Sequence, residues 1–136
     1  MSNVPSIAMS GMSAAALRLD VSARNVANVS SAGPLPSAGL AIVQNYPAAY
    51  TPQRVDQVET AGGGTRAIVV PVSPAVTPAQ DTAAPYADNN GMVAAPNVDL
   101  AGEAVDQLVA RYDFAFNAVV LRSYAQMMKS LLDITA

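Results

Sequence analysis

Apolar residues recur at helical spacing at both ends of the chain, and the stretch between the ends lacks that rhythm. From Asn97 to Ile134 they fall at Val105, Val109, Tyr112, Phe116, Val119, Met127, Leu131 and Ile134, with Ser123 the one polar break. Steps of three and four put these residues on one side of a helix, whereas a strand would alternate. Leu108, Ala115, Val120 and Leu132 widen the stripe, and no proline interrupts it. At about 1.5 Å per residue, such a helix is on the order of 50 Å long. Asn97 or Asp99 is placed to cap it. Asp99 and Glu103 suit the positive end of its dipole, and Lys129 suits the other.

A second helix is predicted near the N-terminus, capped by Ser6 and running to about Ser30. Met12, Ala15, Ala16, Leu19, Ala23, Val26 and Val29 form its stripe, with Leu17 and Val21 off to one side. Small residues dominate its surface: Ala8, Ser10, Gly11, Ser13, Ala14, Ser22, Ala23 and Ala27. They let a partner helix approach closely, although Gly11 and the serines weaken the isolated helix.

The turn cluster Ser30 to Gly39 ends that helix, and the stretch from Pro34 to Pro96 holds most of the prolines and glycines. Leu40 to Val43 and Arg66 to Val72 have strand character. Pro71, Pro74, Pro78 and Pro85 favour extended, irregular chain, so a small, loosely built β region with long loops is expected. Asp88, Asn89, Asn90 and Gly91 signal a turn, and Pro96 and Asn97 lead into the last helix. The predicted architecture is mainly α: N- and C-terminal helices paired as a coiled coil, with a Pro/Gly-rich β and loop insert. Residues 1–33 and 97–136 form the helical core, and residues 34–96 the insert. The helical stripes cover more than one face, and an exposed apolar stripe on a soluble chain implies a missing partner.

Composition narrows the function. Of 136 residues, 51% are hydrophobic but few are aromatic, and only 12% are charged, for a net charge of −3. That balance gives no electrostatic reason to bind nucleic acid or an anionic membrane. The chain has no cysteine and no histidine, which removes thiol chemistry, the usual zinc sets and every His-dependent triad. No run is apolar enough for a membrane span, and the N-terminus lacks the features of a cleaved signal peptide.

No motif supports catalysis, a cofactor or a metal. Gly62-Gly63-Gly64-Thr65 lacks the lysine of a phosphate loop. Asp88 to Gly91 lacks the alternating carboxylates of a calcium loop. Asp99, Glu103 and Asp106 read as a solvated helix face, and Met127-Met128 as packing. Asn25 and Asn28, three apart, read equally as ordinary polar residues near a helix end or as amides that fix the register of packed helices.

Those two asparagines carry a family resemblance. Arg24-Asn25-Val26-Ala27-Asn28-Val29-Ser30-Ser31 is similar to the Asn-[IV]-Ala-Asn box that ends the N-terminal helix of flagellar axial proteins. Ala49-Tyr50-Thr51-Pro52 is similar to the stretch that follows it in rod proteins. Ala87 to Asp99 resembles the Ala-Asp-x-x-Gly-[YM]-Val-x-x-Pro-Asn-Val segment of the FlgC family of flagellar basal-body rod proteins. Glu103, Val105, Tyr112, Asn117, Val120, Leu121, Met127, Met128 and Leu131 match residues of that family's last helix.

The resemblance implies a structural, non-enzymatic subunit of the proximal rod. Such a subunit forms part of a drive shaft that transmits torque and encloses the export channel. It would reach the periplasmic basal body through the flagellar type III export apparatus. Implied neighbours are the rod proteins FlgB, FlgF and FlgG, the rod–ring junction protein FliE, the MS ring and further copies of the chain. Implied interface or coiled-coil residues are Met12, Leu19, Asn25, Val26, Asn28, Val29, Val105, Leu108, Tyr112, Phe116, Val119, Met127 and Leu131. Asp88, Gly91, Pro96 and Asn97 are linker and turn residues. The competing role is a soluble helical adaptor or export chaperone for flagellar components.

Overall fold

The computed structural model describes residues 3–36 and 46–135. Its elements are α1 (Val4–Ala27), β1 (Gln53–Glu59), β2 (Thr65–Pro71), β3 (Val76–Gln80), β4 (Met92–Pro96) and α2 (Leu100–Thr135). The two helices pair along their lengths, so the mainly α architecture with a β insert is as expected.

Local chemistry sets the helix ends. Asp99 caps α2, its Oδ1 accepting the Ala101 N–H at 3.0 Å, and Glu103 adds an acid to the first turn. The start of α1 differs from the Ser6 cap predicted above. The helix begins earlier, after Asn3, with Pro5 in its first turn, where a missing N–H costs nothing. Ser6 lies inside the helix, and its hydroxyl donates to the Asn3 carbonyl. The helix closes at Asn28, whose N–H reaches the carbonyls of Arg24 and Asn25.

The insert is more regular than expected. β1 and β2 form an antiparallel hairpin in register from Gln53↔Pro71 to Glu59↔Thr65. Its tip uses Gly62, Gly63 and Gly64 at φ of 100°, 89° and 96°, where side chains are disfavoured. The tip rests on the first turns of α1: Asn3 Nδ2 donates to the Gly62 carbonyl, and the Thr65 N–H donates to Ser10 Oγ. Ala14, Leu17 and Val21 of α1 lie on the side that meets the hairpin.

β3 and β4 form a second antiparallel pair, and Gly33 bridges the far edge of β4 through both backbone bonds of Ala94, each 2.9 Å. Ala94 therefore turns its backbone away from Pro78, its partner in β3. Proline is tolerated there because no ladder bond is asked of it. A side chain on Gly33 would collide with the backbone of residues 47–49, so the chain crosses itself closely there. The expected strand at Leu40 to Val43 lies outside the described residues.

Candidate assembly interface

The seam between α1 and α2 is small and polar. On α1 it runs through Ala8, Gly11, Ala15, Arg18, Ser22 and Asn25, and on α2 through Glu103, Gln107, Ala110, Asp113, Asn117, Leu121 and Tyr124, all buried or half-buried. Steps of three and four mark both as coiled-coil seams. The helices are antiparallel: Asn25 meets Glu103, Arg18 meets Asp106 and Asp113, and Gly11 faces Asn117. A Cβ at Gly11 would stand 2.7 Å from Asn117 Oδ1, so glycine lets the helices close. Following that pairing, residues 125–135 of α2 run on past the start of α1.

Asn25 is the node of this seam. It is 1% exposed, and its amide makes four hydrogen bonds. Nδ2 donates to the Gln53 carbonyl (2.7 Å) and to Glu103 Oε1 (2.6 Å). Oδ1 accepts from the Gln53 N–H (3.0 Å) and from the Tyr50 hydroxyl (3.1 Å). The amide's capacity for two donated and two accepted bonds is filled. It ties α1, α2 and the entry to β1 together. Burial raises the Tyr50 phenol above its ordinary value of 10.0; the Arg24 charge opposes that rise and Glu103 adds to it. Asn28 works locally: its Nδ2 donates to the Arg24 carbonyl and its Oδ1 accepts from Ser31.

Most large apolar residues of α2 are exposed: Val105, Leu108, Tyr112, Phe116 and Val119 on the side away from α1, and Met127 and Leu131 on the stretch that runs past the start of α1. They range from 50% to 66% exposed. Tyr112 and Phe116 stack on each other at 6.3 Å between ring centroids, and both residues are exposed. Among the interface or coiled-coil residues predicted above, Asn25 alone sits in the seam of α1 and α2. Met12 and Leu19 border a shallow apolar trough beside Phe114 and Ala16, Val26 is exposed, and Val29 is half-buried.

The turn residues have defined roles. Asp88 Oδ1 accepts the N–H groups of Asn90 and Met92, both at 2.8 Å, and Gly91 takes φ 73°. Pro96 is buried at the end of β4, and Asn97 Nδ2 donates to the Pro74 carbonyl. Sequence reading did not single out Arg18, Tyr50, Gln53 or Gly33 as structural contacts. Only the nearby Asn box hinted at such a node.

No described helix is long and apolar enough to cross a membrane, and among the described residues no three His, Cys, Asp or Glu side chains are grouped so that they could hold a metal ion.

Residues 6–34 match a family described as flagella basal body rod protein. Over 133 residues the chain is 33% identical to the flagellar basal-body rod protein FlgC of Salmonella typhimurium, spanning 96% of this chain and 94% of that one. The FlgC of Salmonella typhi gives the same figures. The FlgC of Borreliella burgdorferi is 30% identical over 141 aligned positions, spanning 94% and 93%. With that likeness running nearly end to end, the chain belongs to the FlgC family of flagellar basal-body rod proteins.

Proposed function

We propose that the chain is a structural, non-catalytic subunit of the flagellar basal-body rod, held there by the outward face of α2. The exposed apolar stripe from Val105 to Leu131 carries this reading. Solvent contact along several turns of large side chains is stable in a shaft where neighbouring subunits cover it.

In its finer form, the proposal places the subunit in the proximal rod, exported by the flagellar type III apparatus. FlgB, FlgF, FlgG, FliE and the MS ring stand near it, and further copies of itself beside it. Met12, Leu19, Val26 and Val29 of α1 extend the contact surface beyond the α2 stripe. Asn25 and Asn28 act within the subunit by shaping the helix that neighbours meet.

The test is to tag the chain, purify basal bodies after detergent and alkaline extraction, and compare full-length chain with a deletion of residues 97–136. The expected result is full-length chain in the particle, no truncated chain there, and immotile cells. Full-length chain found only in the soluble fraction would overturn the proposal and favour a soluble adaptor or export chaperone.

A further inference from the structure

The outer edge of β1 is an open ladder. In an antiparallel pair, successive residues turn their backbone N–H and C=O alternately toward the partner strand and away from it. Pro52 accepts the Val72 N–H on the β2 side, while Gln53 turns both groups to Asn25 on the other side. By the same alternation Val55 and Gln57 face away from β2. Nothing among the described residues meets their N–H and C=O groups.

Asn25 already acts as the first rung. Its amide accepts from and donates to the same residue, as a paired strand residue does. Beyond it the edge runs along a groove of about 630 Å³, walled on the far side by Arg18, Ser22, Glu103 and Asp106. The outer edge of β2 is less receptive. Its Thr65 N–H is held by Ser10, and it ends at Pro71, which has no N–H to offer.

Charge selects the occupant. The groove's cations are spoken for: Arg18 bridges Asp106 and Asp113, and Arg54 bridges Asp56. Glu103 gives one oxygen to Asn25, and Asp106 gives one to Arg18. The second oxygen of each carboxylate has no bond to a described residue, and the two residues stand one helical turn apart. We propose that this groove accepts an extended, basic segment of another polypeptide. The segment adds to β1 as a strand, making ladder bonds at Val55 and Gln57, and sets a Lys or Arg against Glu103 and Asp106. This site is separate from the α2 stripe and stands or falls independently of the rod assignment.

The test uses full-length chain and two end-blocked peptides, Thr-Lys-Val-Lys-Val-Thr and its counterpart with Glu for Lys. Backbone hydrogen exchange at Val55 and Gln57 is followed by NMR. The basic peptide is expected to slow exchange at both amides by at least about tenfold, and the acidic peptide to leave both unchanged. Gln57→Pro removes one outer N–H at an edge position that tolerates proline. It is expected to abolish the slowing at Val55 while far-UV circular dichroism stays the same. Unchanged exchange with the basic peptide overturns the proposal, as does an equal effect of the acidic one. Protection of both amides in the chain alone also overturns it, since the edge would already be filled.

Discussion

The two sides of α2 reverse the usual amphipathic arrangement. The side toward α1 carries Glu103, Gln107, Asp113 and Asn117 with one buried alanine, Ala110, and larger side chains enter only near its end, at Leu121 and Tyr124. The side toward solvent carries Val105, Leu108, Tyr112, Phe116 and Val119, and the stretch beyond α1 adds Met127 and Leu131. Most helices of small domains bury the apolar side against their own chain. Here hydrogen bonds and small residues set the register within the subunit, and the apolar area remains for contact beyond it. Hydrophobic contact is strong but weakly directional. A seam of paired polar groups is modest in net energy, yet costly to misalign. Separating the two keeps the subunit's own pairing distinct from its assembly.

The strongest way to break this comparison is to charge the outward side. Tyr112→Asp with Phe116→Asp is expected to eliminate the chain from purified basal bodies. Unfolding of the isolated chain should stay within about 0.5 kcal/mol of the parent, as for ordinary surface changes. A drop of several kcal/mol in the urea titration would mean that the stripe packs within the subunit.

Next in size is the node of the polar side. Asn25→Leu leaves the Gln53 backbone groups, the Tyr50 hydroxyl and Glu103 without their partner, and the apolar replacement returns nothing. The expected loss is about 3 kcal/mol, because a buried group left unpaired forfeits its full desolvation energy. It reads out as a lower urea midpoint at unchanged slope. Tyr50→Phe removes a single rung and should cost about 1 kcal/mol. The same phenol gives a pH signature. Its folded-state value is raised, so its contribution is fully present below the unfolded value of 10.0 and is lost as pH climbs above it. Parent stability should therefore fall faster above that pH than that of Tyr50→Phe.

These residues also mark the limit of what the sequence discloses. The α2 stripe is plain from spacing, and Asp99 announces its start. Which side of the helix meets α1 is not plain, because periodicity ranks sides by hydrophobicity and the seam is the less hydrophobic one. On α1 the predicted stripe shares Ala15 with the seam and is otherwise rotated by one position from most of it: Met12, Leu19 and Val26 stand beside Gly11, Arg18 and Asn25. β1 was hidden because Gln53 to Glu59 has only two valines, three apart, which fits no strand alternation. Pro78 argued against β3, since nothing local reveals that Ala94 bonds to Gly33 instead. Asn25 stands out by its spacing with Asn28, but its four hydrogen bonds go to three residues 25 to 78 positions away.

A smaller effect tests the closeness of the seam. Gly11→Val places a branched side chain where Asn117 already sits. The expected cost is about 1–2 kcal/mol, from overpacking and helix separation. Adding Asn117→Ala should restore part of it, giving a coupling of at least about 0.5 kcal/mol in a double-mutant cycle. Strictly additive losses would show that the helices are not held at this distance.

The smallest effect belongs to the ion pairs. Arg18 reaches Asp106 at 3.1 Å and Asp113 at 3.2 Å, carboxylates two turns apart on α2. Its side chain is 22% exposed, but those of the aspartates are 60% and 45% exposed, so water and salt screen both bridges. Arg18→Met keeps much of the aliphatic stem and discards the charge. Loss of the bridges should cost about 1 kcal/mol at low ionic strength and less at high salt. The decisive quantity is the salt dependence. If Arg18 serves to align charges, raising salt should narrow the gap between parent and variant while leaving the effect of Asn25→Leu unchanged, since that node is shut off from solvent. Equal salt sensitivity of the two variants would mean that the Asn25 amide is open to water, and the polar seam would lose the feature that sets it apart from the exposed side of the helix.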